Sequence, residues 1–254
     1  MRRIKQYFFV IKELTEREIK RKYARSSLGI IWSVLNPLLM MVVMSMIFST
    51  MFKRSIDNYP IYYLTGQMVW ELFSGATNAA MTALVDNKTL LIKAKLPRHT
   101  FVVSRIYTSL VNFGFTCVAY ILMIILFGIK PSLTMLLFPV GMIFALIMSI
   151  GVGFILSTEY VFYADVKYLY GLLLRIVMYL SAIFYPADLL SGIMQQAIKF
   201  NPIYLLIYFF RQCVMYGQIP EDWVWIRLSV WSAIFLFMGL IVFKKQENRV
   251  MQTI

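Results

Sequence analysis

Histidine and cysteine are scarce in this chain, which has one histidine, two cysteines and twelve acidic residues among 254. These few potential ligands are not spaced as in a metal site, and nothing in the sequence indicates a disulfide between Cys117 and Cys213. The sequence also lacks a G-x-x-x-x-G-K-[ST] phosphate loop and the H-E-x-x-H and G-x-S-x-G patterns. We therefore expect no enzymatic activity and no cofactor, and any energy source would come from a partner.

Long uncharged runs dominate the chain instead. Hydrophobic residues make up 60% of it and charged residues 15%, and residues 26–52 contain no charge at all. A helix of about 20 residues already crosses the hydrocarbon core of a bilayer. The pattern indicates an all-α integral membrane protein with a single transmembrane domain over residues 1–254. No cleavable signal is expected, because the first apolar run is too long for one.

Positive charge gathers at the ends of the apolar blocks. A nucleic-acid-binding protein would concentrate its Lys and Arg on one solvated face, so we expect no nucleic-acid partner. Six spans, at about 30–52, 59–85, 101–127, 133–158, 168–185 and 223–243, leave most of the 25 basic residues on the inner side. Both termini are then cytosolic. Glycine, proline and charged residues interrupt residues 188–222 too often for a membrane-spanning helix. This segment predicts two short re-entrant helices on the outer side.

Small residues recur along the predicted fourth span. Gly141, Ser149, Gly151 and Gly153 offer surfaces without bulky side chains. Helices in membranes approach closely at such surfaces. This span is therefore predicted to pack tightly against its neighbours.

Residues 1–25 have the pattern of an amphipathic helix lying along the membrane surface. Ile11, Leu14 and Thr15 share one arc at 100° per residue, and charged residues lie opposite. Acid-first i,i+4 pairs, each contributing roughly 0.2–0.5 kcal/mol, would support the helix. These pairs are Glu13–Arg17, Glu16–Lys20 and Glu18–Lys22. Two interpretations stay open, a plain membrane anchor and an interface with a cytosolic partner.

A second basic stretch, residues 86–99, joins the second and third spans. Leu90, Leu91 and Ile92 could form a small apolar patch there, and Pro97 would end any helix before the next span. The stretch is either a docking helix or a charged loop that only sets the topology.

Two charges lie deep inside predicted spans, Glu71 in the second and Arg175 in the fifth, whereas Arg105 and Arg227 lie near span ends. Charges at such depth are costly and are usually paired or face water. Their predicted depths match, so we hypothesise an ion pair within one subunit or across a dimer. Two separate charges facing a wet channel are the alternative. Tyr179 is the deepest aromatic residue of the fifth span and could line a path for sugars.

Several motifs resemble the type-2 ABC permeases that export polysaccharides, O antigens and teichoic acids. They occur in the family's order and cover nearly the whole chain. They are the run 17–37 at the entry of the first span, Gly66-x-x-x-Trp70, Asn87-x-x-Leu90-Leu91-Ile92 with Leu96-Pro97-Arg98, Asp165, and Asn201-Pro202 followed by Arg211.

The resemblance implies a homodimer in the bacterial cytoplasmic (inner) membrane, joined to two copies of a separate cytosolic ABC ATPase. Such an exporter moves a lipid-linked glycan outward from the cytosol. Exporters of drugs or peptides with the same fold are the nearest alternative. A membrane enzyme of lipid-linked glycan synthesis is a more distant one.

The resemblance also implies roles for particular residues. Residues 86–99 would be the coupling helix, with Asn87, Leu90, Leu91, Ile92, Lys93, Pro97 and Arg98 contacting the ATPase. The amphipathic helix would present Arg17, Lys20, Arg21, Tyr23 and Arg25 at the same interface. Residues 189–216 would form an external gate containing Asn201, Pro202 and Arg211. Together with the arguments from buried charge and aromatic residues, the glycan path would include Trp70, Glu71, Arg175 and Tyr179.

Overall fold

The computed structural model describes residues 2–24, 26–52, 56–93, 96–190 and 192–253. Every regular element in these ranges is helical, as the composition predicts. The α-helices are α1 Arg2–Tyr23, α2 Ile31–Phe48, α3 Tyr59–Met81, α4 Ala83–Asp86, α5 Lys88–Lys93, α6 His99–Leu126, α7 Phe138–Phe162, α8 Val166–Tyr179, α9 Gly192–Ile198, α10 Pro202–Val214 and α11 Asp222–Thr253. Two 3-10 helices, Leu133–Leu137 and Ala187–Leu189, complete the described elements.

Within the described part of the chain, four helical segments are long and apolar enough to cross a membrane. They are Ile31–Phe48, His99–Leu126, Leu133–Phe162 and Asp222–Thr253. These segments match the predicted first, third, fourth and sixth spans. The expectation of an all-helical, multi-pass membrane protein therefore holds, and the count of six spans stays a prediction.

The other two predicted spans differ from simple spanning helices. Helix α3 has 23 residues, enough in length, but it carries polar residues and is the most deeply packed helix of the fold. Helix α8 ends at Tyr179 after 14 residues, which is about 21 Å of helix and short of a ~30 Å core. The expected helix up to residue 185 is thus wrong. The chain turns instead, and Ala182 takes a left-handed φ of 48°.

Helix α3 lies at the centre of the bundle. It packs against α2, α6, α7 and α10, and residues from Ile61 to Ala80 on several of its faces are fully buried. Its burial explains how it tolerates polar residues, because neighbouring helices rather than lipid surround them. The helices that expose the most apolar surface, such as α2, lie around it.

The small residues of the fourth span do produce close packing, as predicted. A Cβ added to Gly151 in α7 would lie 2.2 Å from the carbonyl oxygen of Phe235 in α11. One added to Gly239 would lie 2.3 Å from the carbonyl oxygen of Gly151. Glycine is therefore required on both sides, and the backbones of α7 and α11 are in direct contact.

Candidate functional site

Helix α1 lies against α6 through the arc that its sequence pattern predicts. Thr15 is buried and its hydroxyl donates to the Ser104 carbonyl oxygen at 3.3 Å. Leu14 packs beside it against the buried cluster that contains Phe101. The opposite face keeps its charged residues exposed, as an interfacial helix requires.

Only one of the three predicted i,i+4 pairs forms in α1. Lys20 Nζ lies 2.7 Å from Glu16 Oε1, and this hydrogen bond with Lys20 lowers the pKa of Glu16. The other two acid-first pairs are not formed, because Glu18 and Arg17 bind partners on other helices. Arg17 ties α1 to the segment between α3 and α6, and Glu18 ties it to α6 itself.

Arg105 of α6 joins the two predicted cytosolic segments. Its guanidinium binds Glu18 of α1 at 2.6 Å and Asp86, the last residue of α4, at 2.9 Å. The Arg105 and Glu18 side chains are only 13% and 12% exposed. An ion pair so well shielded from water is more strongly coupled than a surface pair.

Asn87 forms the second link between these segments. Arg17 of α1 donates to its side-chain oxygen at 2.5 Å, and the Asn87 amide donates to the Ala83 carbonyl at 2.8 Å. Asn87 itself is buried, and its carbonyl accepts the backbone N–H of Leu91 at 2.9 Å. The start of α5 is therefore fixed to both α1 and α4.

The apolar residues of α5 do not form one exposed patch. Leu91 is buried in the cluster that contains Phe101 and Val102, and Leu90 packs partly against the same cluster. Ile92 is 62% exposed, and Lys93 beside it is exposed too. The prediction that all three apolar residues face a partner is wrong for Leu91, because a six-residue helix must use one face to anchor itself.

The end of the predicted coupling segment contacts the C-terminal helix. Arg98 forms an ion pair with Glu247 of α11 at 3.0 Å and also donates to the Glu247 carbonyl oxygen at 2.9 Å. Pro97 lies just before α6 and is half-buried. Arg98 is consequently already engaged within the chain.

The predicted N-terminal interface residues divide into two groups. Lys20 and Arg21 are exposed, and Arg17 is exposed as well although it binds Asn87. Tyr23 turns inward, where its hydroxyl contacts Ser33 and donates to the Asn112 side-chain oxygen at 3.2 Å. Arg25 lies outside the described residues.

A cavity of about 640 Å³ opens between α1, α2, α3 and α6. Most of its lining can form hydrogen bonds. The polar and aromatic lining consists of Glu18, Lys22, Tyr23, Trp32, Ser33, Asn36, Glu71, Arg105, Thr108, Ser109, Asn112, Phe113 and Thr116. None of the sequence motifs predicted this site. A stripe at 105, 108, 109, 112 and 116, with helical spacing along the third span, is the signal that could have revealed it.

The residues proposed for the glycan path do not lie together. Glu71 lines the cavity and its Oε1 accepts from Gln67 at 2.8 Å, whereas Trp70 is buried in the core. Arg175 is exposed on α8, and Tyr179 at the end of that helix is 61% exposed.

The hypothesised Glu71–Arg175 pair is not formed within the described chain. Helix α8 meets α3 at Thr77, whose hydroxyl accepts from Tyr170 at 2.6 Å. Thr77 lies six residues beyond Glu71, so at 100° per residue the two point about 120° apart around α3. Glu71 therefore faces α2 and α6, and a pair across a dimer stays a prediction.

The residues of the predicted external gate hold the turn after α8. Asn201 caps the start of α10, where its side-chain oxygen accepts the Ile203 N–H, and its amide also donates to the Leu180 carbonyl at 2.9 Å. Pro202 is the first residue of that helix. Arg211 is 4% exposed and donates to the Ala182 carbonyl at 2.9 Å.

The buried Arg211 guanidinium donates to backbone carbonyls and lies against an aromatic ring, while its Nε has no hydrogen-bond partner among the described residues. Besides Ala182, it donates to the carbonyls of Tyr62 and Ile183 at 3.1 and 3.2 Å, and its guanidinium carbon lies 3.4 Å from the centre of the Tyr62 ring. Carbonyls and an aromatic face are partners that a buried guanidinium accepts. Arg211 thus joins the turn after α8 to α3.

Comparison with known proteins places the chain in a family. The model of the ABC-2 type transporter family matches residues 10–215. O-antigen export system permease protein RfbA of Klebsiella pneumoniae is 26% identical over 243 residues, covering 95% of this chain and 93% of that protein. The RfbA protein of Myxococcus xanthus is 24% identical, covering 100% and 98%.

A relative of a second kind is also similar along nearly its whole length. Polysialic acid transport protein KpsM of Escherichia coli is 23% identical over 247 residues, covering 94% of this chain and 93% of that protein. The family resemblance inferred from the sequence motifs is confirmed. The chain belongs to the ABC-2 type transporter family.

Proposed function

We propose that this chain is the membrane subunit of an exporter that moves a lipid-linked polysaccharide from the cytosolic side of the bacterial inner membrane outward. A separate ABC ATPase supplies the energy and docks on α1 and on residues 86–99. Two copies of the chain form the translocation unit with two copies of the ATPase. Family membership and the export functions in the relatives' names support this proposal.

The observation that carries the proposal is the set of contacts around α5. A loop that merely joins two spans needs no fixed position, yet Asn87 and Asp86 bind Arg17 and Arg105 on two other helices. A force applied to α5 would therefore reach α1 and α6 directly. That is the property a coupling element requires.

The topology with six spans and both termini in the cytosol belongs to the same proposal. It needs α3 and the segment beginning with α8 to cross the membrane inside the assembly rather than alone in lipid. The apolar side chains that α8 exposes, Leu172, Leu173 and Ile176, would then face lipid or the second copy. The external segment 189–216, with α9 and α10, would act as the gate.

Co-purification with a matched pair of variants tests the proposal. The tagged chain is purified in mild detergent, and the ATPase that accompanies it is identified and assayed. Ile92→Asp should lose the ATPase without unfolding the chain, because Ile92 is exposed on α5. Ile219→Asp is the control, since that side chain is equally apolar and exposed but lies between α10 and α11.

Two results would count against the proposal. A wild-type chain that carries no ATPase even after cross-linking in cells would remove the exporter function. An ATPase that stays bound to the Ile92→Asp variant as well as it does to the Ile219→Asp variant would remove α5 as its docking point. Exported glycan, measured at the cell surface, distinguishes a polysaccharide exporter from a drug or peptide exporter of the same family.

A further inference from the structure

We propose that the cavity between α1, α2, α3 and α6 binds a sugar residue of the lipid-linked glycan before transport. This inference rests on the proposed function and adds to it where the glycan binds and which kinds of side chain contact it. The cavity is bounded by the first three predicted spans and by the amphipathic helix. It lies on the side of the bundle where α1 and α5 gather the basic residues.

The lining matches a ligand rich in hydroxyl groups. Asn36 offers an amide donor and an acceptor, and Asn112 offers its amide donor beside the oxygen that Tyr23 already uses. The hydroxyls of Ser33 and Ser109 already bind Tyr23 and the Arg105 carbonyl, and each keeps an oxygen that can accept a further hydrogen bond. Trp32 contributes a half-exposed indole, a flat apolar face with a polar edge. A sugar ring presents hydroxyls at its rim and C–H groups on its faces, so both parts of the lining have a counterpart.

The cavity contains one ion pair and two charged residues that have no ion-pair partner among the described residues. Glu18 and Arg105 neutralise each other at 2.6 Å. Glu71 accepts one hydrogen bond, from Gln67, and neither it nor Lys22 has an ion-pair partner among the described residues. Glu71 can therefore accept from sugar hydroxyls, while Lys22 on exposed α1 can meet the phosphate that links sugar to lipid.

The cavity also shares residues with the contacts around α5. Glu18 and Arg105 both line it, and Arg105 holds Asp86 immediately before Asn87 and α5. A bound sugar would thus touch the side chains that position the segment on which the ATPase docks. Binding in this cavity is suited to signal to the ATPase that substrate is loaded.

Cysteine protection tests the site. In a chain carrying Cys117→Ala and Cys213→Ala, Ser109→Cys is placed in the cavity and Thr253→Cys at the end of α11 as a control. Inverted membrane vesicles, prepared from cells that make the lipid-linked glycan or lack its synthesis, are treated with a charged thiosulfonate reagent. The reagent should modify Ser109→Cys about tenfold more slowly in vesicles that contain glycan than in vesicles without it. This is the rate expected if bound glycan occupies about nine-tenths of the sites. Thr253→Cys should react equally in both.

A second variant tests the role of Glu71 separately. Glu71→Gln keeps the shape of the side chain but replaces the charged carboxylate acceptor with a neutral amide. The glycan level needed to protect half of the Ser109→Cys sites should therefore rise about tenfold. Glu159→Gln, the same substitution on α7 away from the cavity, should leave that level unchanged. Equal behaviour of the two variants would overturn the assignment of Glu71 as a sugar ligand.

The outcomes separate this inference from the proposed function. Vesicles that export glycan while Ser109→Cys reacts at one rate with and without it would overturn the site alone. Protection by ordinary phospholipid in vesicles without glycan would show a lipid headgroup as the occupant and would also overturn the sugar site. A chain with neither an ATPase partner nor glycan export would overturn the proposed function itself.

Discussion

Substitution of Arg105 by methionine should uncouple ATP hydrolysis from export and destabilise the chain. Methionine preserves much of the aliphatic stem but removes both ion pairs, which leaves Glu18 shielded from water without its strongest partner. Losing one partner of a buried pair costs roughly 3–5 kcal/mol. Arg17, at 3.3 Å from Glu18, can compensate in part, and Asp86 is exposed enough to be solvated. We therefore expect a loss of about 3 kcal/mol.

The loss is measurable as a shift of the melting temperature in detergent. For a chain of this length a loss of 1 kcal/mol corresponds to roughly 2–4 °C, so the expected shift is about 6–12 °C. Glu16→Gln, which breaks the fully exposed pair with Lys20, should leave the melting temperature unchanged and serves as the control. A double-mutant cycle of Arg105→Met with Glu18→Gln should give a coupling energy above about 1 kcal/mol.

The coupling assay separates a role in transmission from a role in folding. The ratio of glycan exported to ATP hydrolysed should fall for Arg105→Met even at temperatures where the complex stays folded and the ATPase stays bound. A melting temperature no lower than that of Glu16→Gln, with additive effects in the cycle, would refute the energetic reasoning. An unchanged ratio of export to hydrolysis would refute the role in transmission.

Two further substitutions test the packing. Gly151→Ala should lower the melting temperature sharply, because its Cβ would lie 2.2 Å from a carbonyl of α11, whereas Gly114→Ala, with nothing within 4 Å, should be tolerated; equal melting temperatures would contradict the close contact. Arg211→Met should leave three carbonyls near Ala182 without their donor and lower the melting temperature by the equivalent of about 2–4 kcal/mol. Arg211→Lys should rescue only part of this loss, because one ammonium cannot reproduce the planar fork, and full rescue would refute that geometry.

Hydropathy predicted the strongly apolar helices correctly. It failed for segments that are surrounded by other helices instead of lipid. Residues 30–52 and 133–158 contain no charged residue and form the expected helices α2 and α7. Helix α8 was expected to continue to residue 185 because nothing in its composition marks an end. The turn at Ala182 is stabilised by Arg211, a residue 29 positions later, and no local pattern contains that contact.

The two basic segments were predictable in position but not in their contacts, and the cavity beside them was not predicted. The basic charge at residues 17–25 and 86–99 indicated two cytosolic segments, yet helical spacing alone paired Glu18 with Lys22 rather than with Arg105. Matching depth alone paired Glu71 with Arg175, because depth carries no information about the direction in which a side chain points around its helix. Partners separated by 70 to 149 residues, such as those of Asn87 and Arg98, follow only from the tertiary fold.

The contact between Gly151 and Gly239 also restricts how the protein can move. Where two backbones touch, one helix cannot slide past or rotate against the other without a collision, so α7 and α11 behave as one rigid body. The motions of a transport cycle must then occur at the remaining boundaries. The boundary of α1, α2 and α6 around the cavity is held by hydrogen bonds and ion pairs, which can exchange partners as the helices shift.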